Sequence, residues 1–456
     1  MTPRSLYDPD NALSRDAAEA LAKRALALSK AEHARVTITN GARGNTRFAV
    51  NQVSTAGDDT DTVISVRSVF GQRAASASTN KLDDAALQAT VEMSERLARL
   101  SPDDPELMPE LPRQQYLPVD GWSTSTASLD PAGRAAAVRR VTQPALTAGL
   151  VSTGYIESDA EIAAIANSDG LFAYGRQTGA SMTTTVRTVE GTGSGWAGAS
   201  HSDWSKIDPQ ALGERAIDKA RRSDAPVAIE PGRYTVVLEP TAVGNLVQLL
   251  GFALNARNAD EGRSFFTKPG GGNKIGLKVV DERVSLWSDP ADPEARAYPF
   301  ASDGLATVRT VWLDRGVVKN LSYDRYWAQK QGKEPTPLIR SLHMAGGSGT
   351  TEDLIAATPR GILVTRFWYI RPVDPRTVLY TGLTRDGTFL IENGKVTQAI
   401  KNLRFNESPV FLLNNLEAMG ESVRVSASED GSPGFAIVVP PIQARDFNFT
   451  SLSDAI

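Results

Sequence analysis

The side chains that most often hold metals or attack carbonyls are scarce in this chain. It has no cysteine and three histidines, His33, His201 and His343. The cysteine count excludes disulfides, thiolate nucleophiles and thiolate metal sites. A zinc site needs three or four ligands, some of them closely spaced. None of the histidines stands in a His-x-x-x-His or His-Glu arrangement. A His-only site would need three distant segments to converge, so the histidines read as surface or locally bonded groups. No Gly-x-Ser-x-Gly elbow is present. Gly346-Gly347-Ser348-Gly349 lacks that pattern and precedes Thr350-Thr351-Glu352-Asp353-Leu354, which reads as a capped helix start. Gly191-Thr192-Gly193-Ser194-Gly195-Trp196 and Pro269-Gly270-Gly271-Gly272 lack the ending of a phosphate loop. They read as flexible loops, with backbone approach to a bound peptide as the alternative. Asp281-Glu282 and Asp103-Asp104 read as solvated turn charges rather than an acid/base pair held across a cleft.

One segment stands out. Arg366-Phe367-Trp368-Tyr369-Ile370-Arg371 packs three aromatics between two arginines, and Tyr380, Arg385 and Asp386 follow. Such a run is either a strand with one face in a core or an interface or peptide groove. Both readings stay open on the sequence.

The elements that must position these groups follow from periodicity and punctuation. Residues 13–30 read as a helix capped by Ser14. Val36–Thr39, Thr46–Val50 and Val63–Phe70 read as strands, the last ended by Gly71. Residues 83–100 read as a helix with Leu87, Val91 and Ala98 on one face. Five prolines between Ser101 and Pro118 mark a linker. Residues 130–149 read as helix, Gly154–Ala199 as strand-rich, and 209–222 as a helix whose end carries Lys219, Arg221 and Arg222, where cations suit the dipole. After Pro231-Gly232, Tyr234–Leu238 is a buried-strand candidate, followed by a helix over about 240–257 with Pro240 in its first turn. Val308–Leu321 and Thr388–Gln398 read as hairpins, the second turning on Asn393-Gly394. The fold class expected is α+β, an N-terminal α/β region followed by a strand-rich C-terminal domain with mixed or antiparallel sheets. The expected units are 1–110, 111–230 and 231–456.

Composition bounds the function. The 456 residues carry a net charge of -4 and are 41% hydrophobic and 22% charged. This is ordinary for a globular protein and gives no electrostatic ground for a nucleic-acid or membrane partner. Met1–Asp8 lacks the apolar core of a signal peptide, and no run approaches about 18 apolar residues. The expected location is the cytoplasm.

Several blocks together resemble the TldD/PmbA family. Thr46–Val53, Val66–Asp83, Pro231–Leu238, Ser302–Gly316 with Tyr323-Asp324-Arg325-Tyr326-Trp327-Ala328, and Phe389–Val396 match its segments in family order over nearly the whole chain. The resemblance implies a two-subunit peptidase. One subunit type, TldD, carries His-Glu-x-x-x-His on the helix after the Val-Val-Leu strand and draws a Cys ligand from the C-terminal region. There the metal would activate water and the Glu would act as general base. The other type, TldE (also called PmbA), lacks the motif.

In this chain the equivalent positions are Gln248, Leu249 and Ala253, and the helix holds no His, Asp or Glu before Asp260. Val243, Leu246, Leu250 and Leu254 recur instead at the spacing of a core face. The expectation is therefore a TldE-like subunit with no catalytic residues and no metal of its own. Zinc would reside in a TldD-type partner, and the substrate would be a peptide or unfolded protein. The peptide-contact candidates are Arg366, Trp368, Tyr369, Arg371, Tyr380 and Arg385. The alternative is a stand-alone peptide-binding or assembly protein. A homodimer is compatible with the chain in isolation.

Overall fold

The computed structural model describes residues 12–338, 341–426 and 436–453. The reading of Met1–Asp8 lies outside them. Six strands form the first sheet: β1 (His33–Ala49), β2 (Gln52–Phe70), β3 (Arg73–Thr79), β4 (Val151–Asn167), β5 (Phe172–Arg187) and β6 (Ser194–His201). Their order is β3-β2-β1-β4-β5-β6, antiparallel throughout. Residues before and after the Pro-rich stretch thus contribute three strands each to one sheet. The accompanying helices are α1 (Arg15–Leu28), α2 (Asp84–Leu100), α3 (Thr124–Ala127), α4 (Pro131–Thr147) and α5 (Pro209–Arg222). Ser14 caps α1 by accepting from the Ala17 amide, and Asp83 caps α2 through Ala86. Leu87, Val91 and Ala98 of α2 are buried, as their spacing predicts.

Two sequence readings change here. Val36–Thr39 and Thr46–Val50 are one continuous strand, which runs straight through Asn40-Gly41-Ala42-Arg43-Gly44-Asn45. Gly44 is there for close approach: a Cβ would lie 2.2 Å from Nη1 of the buried Arg134 of α4. Arg134 fastens α4 to the β1–β2 hairpin by donating to Thr46 Oγ1, the Leu129 carbonyl and Asp58 Oδ1. Likewise Gly193 and Gly195 do not form a flexible loop. They lie flush against α5, where a Cβ on Gly195 would sit 2.2 Å from the Ala216 carbonyl oxygen.

The Pro-rich stretch has no regular structure, yet it is a pinned strap. The Glu106 carboxylate takes two bonds of 2.8 Å from Arg257. The Leu111 carbonyl accepts from Asn167, and Tyr116 donates to the Gly304 carbonyl.

The C-terminal region begins with β7 (Gly232–Leu238), α6 (Pro240–Ala253) and α7 (Ala256–Asp260). It continues with β8 (Leu286–Ser288), β9 (Thr310–Asp314), β10 (Val317–Val318), α8 (Arg325–Gln331), β11 (Ser341–Met344), α9 (Thr351–Ala356), β12 (Arg360–Val364) and β13 (Phe367–Asp374). The remainder is β14 (Leu379–Thr384), β15 (Thr388–Glu392), β16 (Lys395–Ala399), β17 (Leu403–Glu407), α10 (Pro409–Asn414), β18 (Leu416–Met419), β19 (Val423–Val425), β20 (Ala436–Val439) and β21 (Ile442–Leu452). A second six-stranded sheet runs β10-β9-β8-β11-β20-β19, and a nine-stranded sheet runs β13-β14-β17-β21-β7-β12-β15-β16 with β18 beside β21. Both mix parallel and antiparallel pairs. The fold is therefore α+β, as the sequence predicts. The helix expected over 240–257 stops at Ala253, and a separate short helix follows. The Asn393-Gly394 hairpin forms with both turn residues at positive φ, and Thr350 builds a capping box with Asp353.

Candidate functional site

The site grows from the junction of β7, α6 and β13. β7 is an inner strand, flanked by β21 and β12. Its Val236 and Leu238 lie in the core cluster that α6 also enters. Pro240 opens the helix, where its missing amide hydrogen costs nothing. Val243, Leu246, Leu250 and Leu254 are all buried in that cluster. Gln248, Leu249 and Ala253 are half-buried at its border, and the latter two pack against it. These side chains offer one amide and two aliphatic groups. They cannot supply the imidazole pair and carboxylate that a metal-activated water needs, so no metal chemistry is derived for α6. Among the described residues, no group of three or more His, Cys, Asp or Glu could hold a metal ion. Each histidine has its own local partner: Asp169 for His33, the Asp203 amide for His201, and Asp292 for His343, which also stacks on Trp287.

One turn before Gln248, the buried Asn245 reaches β13. Its Oδ1 accepts from the Phe367 amide at 3.1 Å. β13 is the end strand of the nine-stranded sheet, and this bond ties part of it to α6. Phe367 packs inward against Phe405 and Phe447. The pairing of β13 with β14 shifts between Trp368 and Arg371. Tyr369 sits in that bulge at φ 52°, 54% exposed, a conformation that costs energy for a non-glycine residue. The Arg371 guanidinium lies 4.1 Å from its ring centroid.

The remaining candidates separate. Arg366, Trp368 and Arg385 converge. The Arg366 guanidinium stands 4.5 Å from the Trp196 ring and 5.1 Å from Trp368, and Arg385 covers Trp368 at 5.1 Å. Both arginines face Asp386, at 3.5 and 3.9 Å. Asp386 is 4% exposed, adopts φ 54°, and accepts from Ser194 Oγ at 2.5 Å. A cavity of about 400 Å³ opens beside it, between Ser194 and Ser223 on one side and Thr388 and Asn402 on the other. Tyr380 does not join this group. It is partly buried against the main core, and burial raises its hydroxyl pKa.

Phe367 and Ile370 of the aromatic run are core, as a strand with one buried face requires, while Tyr369 and Arg371 face out. The roles of Asn245, Trp196, Ser194 and Asp386 were not read from the sequence. Asp386-Gly387 carried the one local signal, a turn dipeptide that tolerates positive φ. The other three act across distances of more than a hundred residues, which periodicity does not register.

The structure superposes on TldE from Thermococcus kodakarensis with a TM-score of 0.82 at 18% identity, covering 95% of this chain and 100% of that one. A candidate modulator of DNA gyrase from Bacteroides thetaiotaomicron gives 0.81 at 22% identity, covering 96% and 100%. Models of the PmbA/TldA metallopeptidase match in three parts: domain 1 over residues 34–98, the central domain over 124–224 and the C-terminal domain over 231–451. The chain belongs to the PmbA/TldD metallopeptidase family. A metalloprotease from Methanothermobacter thermautotrophicus is 24% identical over 250 residues, which are 51% of this chain and 52% of that protein. A metalloprotease TldD homolog from Buchnera aphidicola is 23% identical over 209 residues, 42% of each chain. The chain thus matches about half the length of these relatives. Among the described residues, no helix is long and apolar enough to cross a membrane.

Proposed function

We propose that this chain is a TldE-like, non-catalytic subunit of a heteromeric TldD-type zinc metallopeptidase acting on peptides or unfolded small proteins. The observation that carries the reading is the chemistry of α6. At the positions equivalent to the family's His-Glu-x-x-x-His stand Gln248, Leu249 and Ala253, and the chain has no cysteine. Losing ligands and general base together leaves a scaffold without an engine. The TldD-type partner supplies the zinc, and this subunit shapes the peptide chamber.

Tyr369 and Arg371 on the β13 bulge are the proposed peptide contacts. Arg366, Trp368 and Arg385 hold the bulge in place through Asp386, and Tyr380 anchors the neighbouring strand. The units 1–110, 111–230 and 231–456 and a cytoplasmic location belong to the same proposal. It is tested by co-expression with a TldD-type protein, one carrying His-Glu-x-x-x-His, from the same organism. Co-purification with peptidase activity supports the reading. A chain that forms only homo-oligomers beside that partner refutes it.

A further inference from the structure

His201 ends β6, where the first sheet meets the second. Its Nδ1 accepts from the Asp203 amide at 2.8 Å. An acceptor nitrogen carries no proton, so the neutral ring carries its proton on Nε2. That nitrogen is buried and, among the described residues, has no hydrogen-bond partner; Glu294 Oε2 stands 3.7 Å away. Arg424 of β19 completes the junction. It donates to the Ser200 carbonyl at 2.6 Å and to the Glu294 carbonyl, joining β6 to both β19 and the 289–297 loop. The same loop is engaged by His343, whose Nδ1 lies 2.9 Å from Asp292 Oδ2. This joint shares β6 with Trp196, the ring on which Arg366 rests.

We propose that His201 is a pH-operated latch: while its ring is neutral, Arg424 holds β6 against β19 and the 289–297 loop, and protonation of the ring releases them. A second proton must go on Nδ1, which then opposes the Asp203 amide with donor facing donor. The bond is lost and a cation appears beside the Arg424 guanidinium.

Among the described residues, the charged groups around the ring are Arg424 from β19, Glu294 from the loop, and Asp203 and Lys206 from the turn after β6. Glu294 and Asp203 favour the cation. Glu294 is 55% exposed, however, so water screens its attraction. The Asp203 carboxylate is occupied by Ser125 and Ser205. Burial is the largest influence on His201 and lowers its pKa from 6.5, with Arg424 acting in the same direction. The sign follows. Folded His201 resists the proton, so the joint has its full strength above the unfolded value of 6.5 and weakens as pH falls below it.

The test uses the full chain with 13C-labelled histidine, titrated by NMR. The three signals are assigned through His33→Gln and His343→Gln. His201 titrates below 6.5; a value at or above 6.5 overturns the proposal. Hydrogen exchange, corrected for its intrinsic pH dependence, is then compared between about pH 7.5 and 5.5. Amides of β6 and β19 exchange about threefold faster at the lower pH in the wild type and are unresponsive in His201→Gln. An equal acceleration in that variant, or none in the wild type, overturns it. Should His201→Gln not fold, His201→Asn serves: its β6 and β19 amides stay unresponsive to the pH change, and an acceleration equal to the wild type's overturns the proposal.

Discussion

Asp386→Ala is the sharpest test of how the aromatic strand is held. The wild-type carboxylate is buried, faces Arg366 and Arg385, and accepts from Ser194 Oγ. Arg366 is itself only 5% exposed and lies between two indole rings. Breaking a buried pair by deleting one partner costs about 3–5 kcal/mol, because the surviving charge stays desolvated. Alanine at φ 54° adds about 1 kcal/mol that aspartate partly avoids. The loss of about 5 kcal/mol converts to a fall of roughly 15 °C in Tm for a cooperative unit of the C-terminal region's size. Asp386→Asn keeps the left-handed tolerance and an acceptor for Ser194, and falls about half as far. Differential scanning calorimetry gives the shift. Tryptophan fluorescence reports whether Trp196 and Trp368 lose their guanidinium neighbour. An alanine variant within about 1 kcal/mol of the wild type would refute the buried-pair argument.

Other consequences are as direct. Asn245→Leu leaves the Phe367 amide without its acceptor, at a cost of about 1–3 kcal/mol; exchange of that amide should rise while β7 amides stay protected. Gly44→Ala drives a methyl group into Arg134 and should cost about 1–3 kcal/mol or more by thermal denaturation. Asp159 on β4 is pushed up to about 7 by burial and by the neighbouring Glu161 and Glu157. Its folded form prefers the proton, so its charge destabilises the fold increasingly as pH rises from about 4 to 7. Asp159→Asn should therefore raise Tm at pH 8 and change little near pH 4. Asp203 and Asp281 behave oppositely. Hydrogen bonds from Ser125 and Arg283, respectively, hold both carboxyls at about 2. The stability they add is complete above about 4 and is lost as pH falls through about 2, so neutralising either should blunt acid unfolding there.

What could be read in the sequence was local. Ser14 and Asp83 announce their helices because capping acts within one turn. Asn393-Gly394 announces its hairpin because few residues accept two successive positive φ values. The β1–β2 turn escaped because it is built from Val50-Asn51 at φ 50° and 61°, against the preference of a β-branched residue. Asn40–Asn45 looked like a break because it holds two glycines, yet Gly44 serves the passage of Arg134, which comes from a helix far along the chain. The core face of α6 was legible from its period alone, and its four predicted residues are buried. The cluster around Asp386 was not, since Trp196 and Ser194 lie on another sheet and only folding brings them to Arg366.

The central claim is that this chain supplies structure and its partner supplies the metal. The most direct test is zinc content and peptide cleavage of the purified chain, alone and after co-expression with a TldD-type protein from the same organism. The chain alone should carry no stoichiometric zinc and cleave nothing, while the complex should do both and lose its zinc when the partner's motif histidines are replaced. Stoichiometric zinc and peptide cleavage by the chain on its own would contradict it.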